Sequence, residues 1–225
     1  MADDFMVSFE GLDKMSEKEK RKKFGDLDIV MTGFAGLSGS AILACKKYDT
    51  LRRRYPASFL EGAKSQKKFL RQLPEAAPAG KSGDCSVYSF SEKGIAGMFL
   101  LAEGGVFAGL WKLGKAAGVG LKIYLKDIPI KQETVEICNF FDVNPYQLQS
   151  EGSCLLLAEN GYRVKNGLQE KGIFSEVIGM TTENNDRVVI NGEEKRYLEK
   201  SYEDALEGVV KRIRKYENRT GKEVS

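Results

Sequence analysis

The stretch AAGVGLKIYLKDIPI (116–130) changes its period part-way along. Upstream of it Val106, Leu110, Leu113 and Ala117 recur at helical spacing, with Phe107 and Trp111 beside them, so a helix spans about 104–117. Gly118 and Gly120 end that helix. Leu121, Ile123 and Leu125 then alternate with Lys122, Tyr124 and Lys126, the pattern of a half-buried strand, and Pro129 stops it. A helix, a glycine break and a strand in immediate succession point to α/β or α+β architecture.

The same reading extends outward in both directions. Asp28–Thr32 is a short apolar strand ending at Gly33, and a helix follows over 38–47. The segment 46–74 reads as a helix pair, and Pro74 to Gly83 has loop composition. Cys85 to Phe90 reads as a further strand. The apolar stretch Gly94 to Trp111 is a core segment and not a membrane span, because Glu103 falls inside it and Gly104 and Gly105 weaken any continuous helix. Beyond Pro129 the pattern gives a helix over 131–141, a turn at Asn144-Pro145, a buried strand over 153–158 and a helix over 162–171. Strands over 176–180 and 187–190 follow, and Asn191-Gly192 signals a hairpin into 195–198. Ser201 caps a closing helix, with Asp204 completing a capping-box-like start. The expected fold is α/β (α+β mixed), with layered helices and a mixed sheet. It forms one domain over 26–225 behind a variable N-terminal extension, 1–25, in which Ser16 to Lys23 is a solvated helix face.

Composition narrows the chemistry. The 225 residues carry 35 Lys+Arg against 32 Asp+Glu, a net charge of +3, too little on its own to argue for nucleic acid. There is no histidine, which excludes Ser-His and Cys-His nucleophile pairs, histidine metal ligands and a histidine base. The four cysteines, 45, 85, 138 and 154, form no CxxC pair, and no aspartate cluster is present, so no metal site is expected. An acidic start with no apolar core behind it implies no signal peptide and a reduced, cytoplasmic setting. Positive charge concentrates in one place, 46–71, with Tyr48, Tyr55, Phe59 and Phe69 nearby. That pattern fits an exposed helix pair whose aromatics face the core, or a docking surface for an anionic partner.

Three glycine-bearing turns are the candidate site. Gly33, Gly36 and Gly39, with Ser38, stand between a strand and a helix, where converging backbone N–H groups suit an anion. The spacing is neither a Walker A loop nor GxGxxG, and on its own a tight structural turn is the better account. Glu103-Gly104-Gly105 precedes the next helix, and Glu103 is either a functional carboxylate or a residue favoured by the helix N-terminus. Glu151-Gly152 precedes the strand over 153–158, where a turn glycine beside a solvated glutamate is the simpler account.

Taken in order, TGFAGLSGSAI (32–42), MFLLAEGGV (98–106) running into 116–130, and NPYQLQSEGSCLLLA (144–158) resemble the C-terminal domain of the aminoimidazole ribonucleotide (AIR) synthetase superfamily, nearest its hydrogenase maturation factor branch. The resemblance covers about 26–200. It implies a pocket for a phosphorylated or nucleotide-like small molecule at Gly33, Gly36, Ser38, Gly39, Gly104, Gly105 and Gly152, with Glu103 and Glu151 as acid–base candidates. It also implies ATP and Mg²⁺, which the family holds mainly on an N-terminal domain; residues 1–25 are too few for one, so a free-standing C-terminal domain is expected.

Departures from that pattern point away from catalysis. Leu37 and Ser38 stand where the branch has an acidic residue and a histidine, while Phe99, Leu100 and Ala102 replace polar positions of the second turn. The family's terminal cysteine is absent from Lys222-Glu-Val-Ser225. Three functions follow: a binding module that has lost ATP-dependent catalysis, a subunit of a split enzyme completed by a separate ATP-binding chain, or an interaction module using 46–71. A homodimer would need a surface of its own. The sequence assigns no reaction to the chain, and neither membrane nor nucleic-acid binding is expected.

Overall fold

The computed structural model describes residues 12–66, 94–200, 204–209 and 211. Seven strands alternate with helices along the chain: β1 (Asp28–Thr32), β2 (Ile95–Leu100), β3 (Gly120–Tyr124), β4 (Cys154–Ala158), β5 (Ser175–Thr182), β6 (Arg187–Asn191) and β7 (Glu194–Tyr197). They form a single sheet in the order β2-β4-β1-β5-β3-β6-β7. Each neighbouring pair is antiparallel except β3 and β6, which run parallel, so the sheet is mixed. The helices are α1 (Glu17–Phe24), α2 (Leu37–Lys46), α3 (Tyr48–Arg52), α4 (Ala57–Ser65), α5 (Gly105–Ala117), α6 (Gln132–Phe141) and α7 (Gly161–Glu170). A last helix, α8, runs over 205–209. The α/β expectation is met.

Both faces of the sheet are covered, which explains why β4 is buried along its whole length instead of alternating. On one face α5 packs Val106, Leu110, Leu113 and Ala117 against Ile29, Met31, Phe99, Leu155, Leu157 and Ile178. Phe24 of α1 joins that cluster, fully buried, while the rest of α1 is a charged surface capped by a Ser16–Glu19 capping box. The other face carries Val30, Met98, Cys154, Leu156 and Ala158 against Val164 and Leu168 of α7. A third cluster lies mainly among helices, where α2, α3, α4 and α6 meet Val209 of α8 and Leu148 of the loop after α6 around Leu43, Leu51, Leu60 and Ile137.

Most expected elements sit within a residue or two of their sequence-based bounds, and one needs correction. β2 was hidden in the apolar run from Gly94: strand and helix are both buried there, so no change of polarity separates them. The strand expected at Cys85 to Phe90 lies outside the described residues. The helix pair expected over 46–74 is α3 and α4, of which the described part ends at Gln66, and its aromatics Tyr48, Tyr55 and Phe59 do pack on the helical cluster. At the closing helix Asp204 Oδ1 accepts the Leu206 N–H at 2.8 Å, while Ser201, and with it the capping-box reading, lies outside the described residues. The β6–β7 hairpin forms as read, with Asn191 paired to Glu194 across Gly192. Among the described residues no helix is long and apolar enough to cross a membrane.

Candidate functional site

Sheet topology brings the three glycine turns together. Because β1 and β2 each pair antiparallel with β4, their C-terminal ends lie beside its N-terminal end. The turn after β1, the turn after β2 and the turn before β4 therefore share one end of the sheet. Two backbone bonds tie the last two turns directly: Leu101 N–H to Ser153 O at 2.9 Å and Ser150 N–H to Ala102 O at 3.1 Å.

The first turn is packed against the loop over 144–153. Gly36 has φ 66°, and a Cβ there would stand 2.9 Å from Thr134 Cγ2 and 3.0 Å from the Pro145 carbonyl, so glycine is required twice over. Three serines close the loop onto the turn. Ser153 Oγ accepts the Phe34 N–H at 3.2 Å, Ser150 Oγ accepts the Gly36 N–H at 2.9 Å, and Ser38 Oγ accepts the Glu151 N–H at 2.9 Å while donating to Gln149 O. The backbone completes the set: Gly33 N–H donates to Phe174 O, Ala35 N–H to Pro129 O and Gly39 N–H to Gln149 O. Every one of these glycine donors is already spent inside the chain.

The second turn is built the same way, with one difference. A Cβ on Gly105 would lie 2.6 Å from Tyr146 O, so α5 starts in contact with the same loop, and Phe107 stacks on Tyr146 with ring centroids 5.3 Å apart. Burial raises the Tyr146 phenol above its ordinary range. Gly104 adopts φ 77° at the start of α5, and its N–H donates to an anion, the Oδ2 of Asp204, at 2.7 Å. Asp204 is 9% exposed and serves two helix starts at once, Gly104 through one oxygen and Leu206 through the other. Sequence reasoning placed Asp204 in a capping-box-like helix start behind Ser201. Its partner a hundred residues away left no sequence signal.

Glu103 and Glu151 both stand exposed at this end. Glu151 accepts from Gln149 Nε2 at 3.2 Å, and Glu103 forms no hydrogen bond or ion pair among the described residues. Gly152, with φ 87°, makes the bend between Glu151 and Ser153. Beside them Phe34 stacks on Phe174 at 4.6 Å, and Lys131 Nζ lies 4.2 Å from the Phe34 centroid, a feature absent from the sequence reading. Among the described residues no three His, Cys, Asp or Glu side chains come together to hold a metal ion. The described residues at this end of the sheet do not form a Mg²⁺ ligand set. Cys138 and Cys154 are buried, and burial pushes the Cys138 thiol up to about 12.

This architecture is a mixed α/β fold shared with solved proteins. Within it the chain is similar to solved hydrogenase maturation proteins. E. coli HypE matches with a TM-score of 0.59 at 17% identity, over 84% of this chain and 54% of that one. HypE in a HypE–HypF complex matches with a TM-score of 0.54 at 20% identity, over 79% and 53%. A thiamine-monophosphate kinase from Stenotrophomonas maltophilia K279a matches with a TM-score of 0.50 at 14% identity, over 76% and 52%. At these identities the likeness establishes the fold, and the chain spans about half the length of each. No protein-family model matches, and no curated protein matches by sequence.

Proposed function

We propose that this chain is a binding module for a phosphorylated or nucleotide-like small molecule, taken at the end of the sheet where the three glycine turns meet, without ATP-dependent catalysis of its own. The reading rests on one observation above the others: an anion already sits at the second turn, and it is the chain's own Asp204 carboxylate on the Gly104 N–H. A phosphate oxygen offers the same acceptor to the same donor. Glu103 and Glu151, both exposed and neither buried beside a partner charge, then serve as rim residues and not as an acid–base pair. The thiols of Cys45, Cys138 and Cys154, none of them in a disulfide, suit a reduced, cytoplasmic setting.

Titration calorimetry with inorganic phosphate and with Mg·ATP, on native protein and on Asp204→Ala, tests this reading. The internal anion competes with any ligand, so Asp204→Ala should bind phosphate on the order of tenfold tighter than the native chain. Asp204→Asn, neutral and nearly isosteric, keeps the comparison readable if the alanine variant is poorly folded. Absence of phosphate and nucleotide binding in all three proteins would reduce the glycine turns to packing devices.

A second reading, a subunit completed by a separate ATP-binding chain, draws support from the half-length match to the solved structures. ATP and Mg²⁺ would then arrive with that partner. Native mass spectrometry of the purified protein would separate the two readings: a retained small-molecule mass favours the module, a co-purifying ATP-binding chain favours the subunit, and a homodimer would appear in the same spectrum.

A further inference from the structure

Away from the glycine turns, the helical layer carries an arrangement that the small-molecule reading does not use. Between Cys45 and Gln66 stand six cations and two carboxylates, a net of +4 that exceeds the +3 of the whole chain. The chain's entire positive excess therefore lies on α3, α4 and the last turn of α2. Lys46, Arg52, Arg53 and Arg54 are exposed, whereas Lys64 is spent on Glu61 at 2.9 Å and on the Tyr48 ring at 3.6 Å. The other carboxylate of this stretch, Asp49, is exposed and forms an ion pair with none of the four among the described residues, and the facing helix α6 adds Glu133 and Glu136.

Two of the three arginines are held in place by a single fixed residue. Tyr55 is stacked on Phe59 with centroids 4.9 Å apart, lies 6.1 Å from Phe140, and its hydroxyl donates to the Glu136 backbone carbonyl at 3.0 Å, with the Glu136 carboxylate 3.2 Å away. Burial is the main cause that raises its phenol pKa. Arg52 Nη1 donates to the Tyr55 carbonyl at 2.9 Å, and the Arg54 guanidinium lies 5.7 Å from the Tyr55 ring centroid. Arg53 stands between them, its backbone N–H bonded to the Thr50 carbonyl and its guanidinium in no ion pair among the described residues. Two guanidinium groups whose rotamers are already restrained, those of Arg52 and Arg54, lose less side-chain entropy on meeting a partner than free lysines would.

We infer that this surface docks an acidic segment of another protein. Planar guanidinium forks match carboxylates two bonds at a time, and clustered forks favour a run of Asp or Glu over an isolated charge. A single-stranded nucleic acid is the poorer fit, because such sites pair basic grooves with open aromatic faces, and here Tyr48, Tyr55 and Phe59 are turned onto the helical cluster.

Fluorescence anisotropy of the full chain with a labelled glutamate-rich peptide, and separately with a labelled single-stranded oligonucleotide, tests the assignment. The peptide should bind, and the triple variant Arg52→Glu, Arg53→Glu, Arg54→Glu should lose at least about tenfold in affinity, with the native affinity falling by a similar factor as salt is raised across the Debye range. Replacing the three arginines by lysine keeps the charge and removes the forks, so an intermediate loss of about threefold is expected. Equal peptide binding by native and reversed proteins, each with native circular dichroism, would overturn the surface. Tighter binding of the oligonucleotide than of the peptide would overturn the class of partner.

Discussion

The two glycine turns that open α2 and α5 share a design and differ in what closes them. Each begins a helix from a left-handed glycine, and each presses a glycine onto the loop over 144–153. The first is closed by neutral groups, three serine hydroxyls and backbone carbonyls. The second is closed by a carboxylate that belongs to the opposite end of the chain and to the helical cluster. Neutral closure is a matter of packing and does not respond to ions. Ionic closure leaves a position that any competing anion can contest, so the same backbone geometry gives a structural joint in one place and an exchangeable one in the other.

Substitutions can break that contrast, beginning with the largest effect. Gly36→Val forces a branched side chain into φ 66° and against Thr134, and should cost about 3 kcal/mol or more of stability, read from the denaturant midpoint. Loss of binding in such a variant would report unfolding and not a ligand contact, which makes Asp204 the better probe of the site. Ser150→Ala strands the buried Gly36 N–H and should cost about 1–3 kcal/mol, unchanged by added phosphate. Phosphate sensitivity of Ser150→Ala equal to that of Asp204→Asn would erase the distinction between the turns.

The smallest effect tests the helical layer instead. Cys138 is neutral when buried, with its pKa raised from 9.0 to about 12, so its contribution to stability is complete below about pH 9 and is lost as pH rises toward 12. In a Cys85→Ser background, a thiol reagent at pH 8 should label Cys45 at once and leave Cys138 and Cys154 until the protein unfolds. Fast labelling of Cys138 would mean that the helical cluster opens locally.

The sequence made the alternation of β3, the run of β4 and the glycine breaks readable, because period and burial agree there. It concealed β2, where an apolar strand runs by way of a short glycine turn into an apolar helix. The three turns were legible as candidates, and their order was enough to suggest a shared site. What closes them was not legible. Ser150 and Ser153 look like turn residues, and the Asp204–Gly104 contact depends on how two distant helices dock, which no local spacing records.

The position of β1 bears on how the chain must fold. This strand lies third in the sheet, yet both of its neighbours, β4 and β5, are encoded more than a hundred residues downstream. During synthesis its apolar residues Ile29, Val30 and Met31 wait without partners until most of the chain has emerged. Such non-local pairing closes large loops before any contact rewards it, and it places this chain among slow folders whose nascent state is exposed to aggregation and suited to chaperone capture.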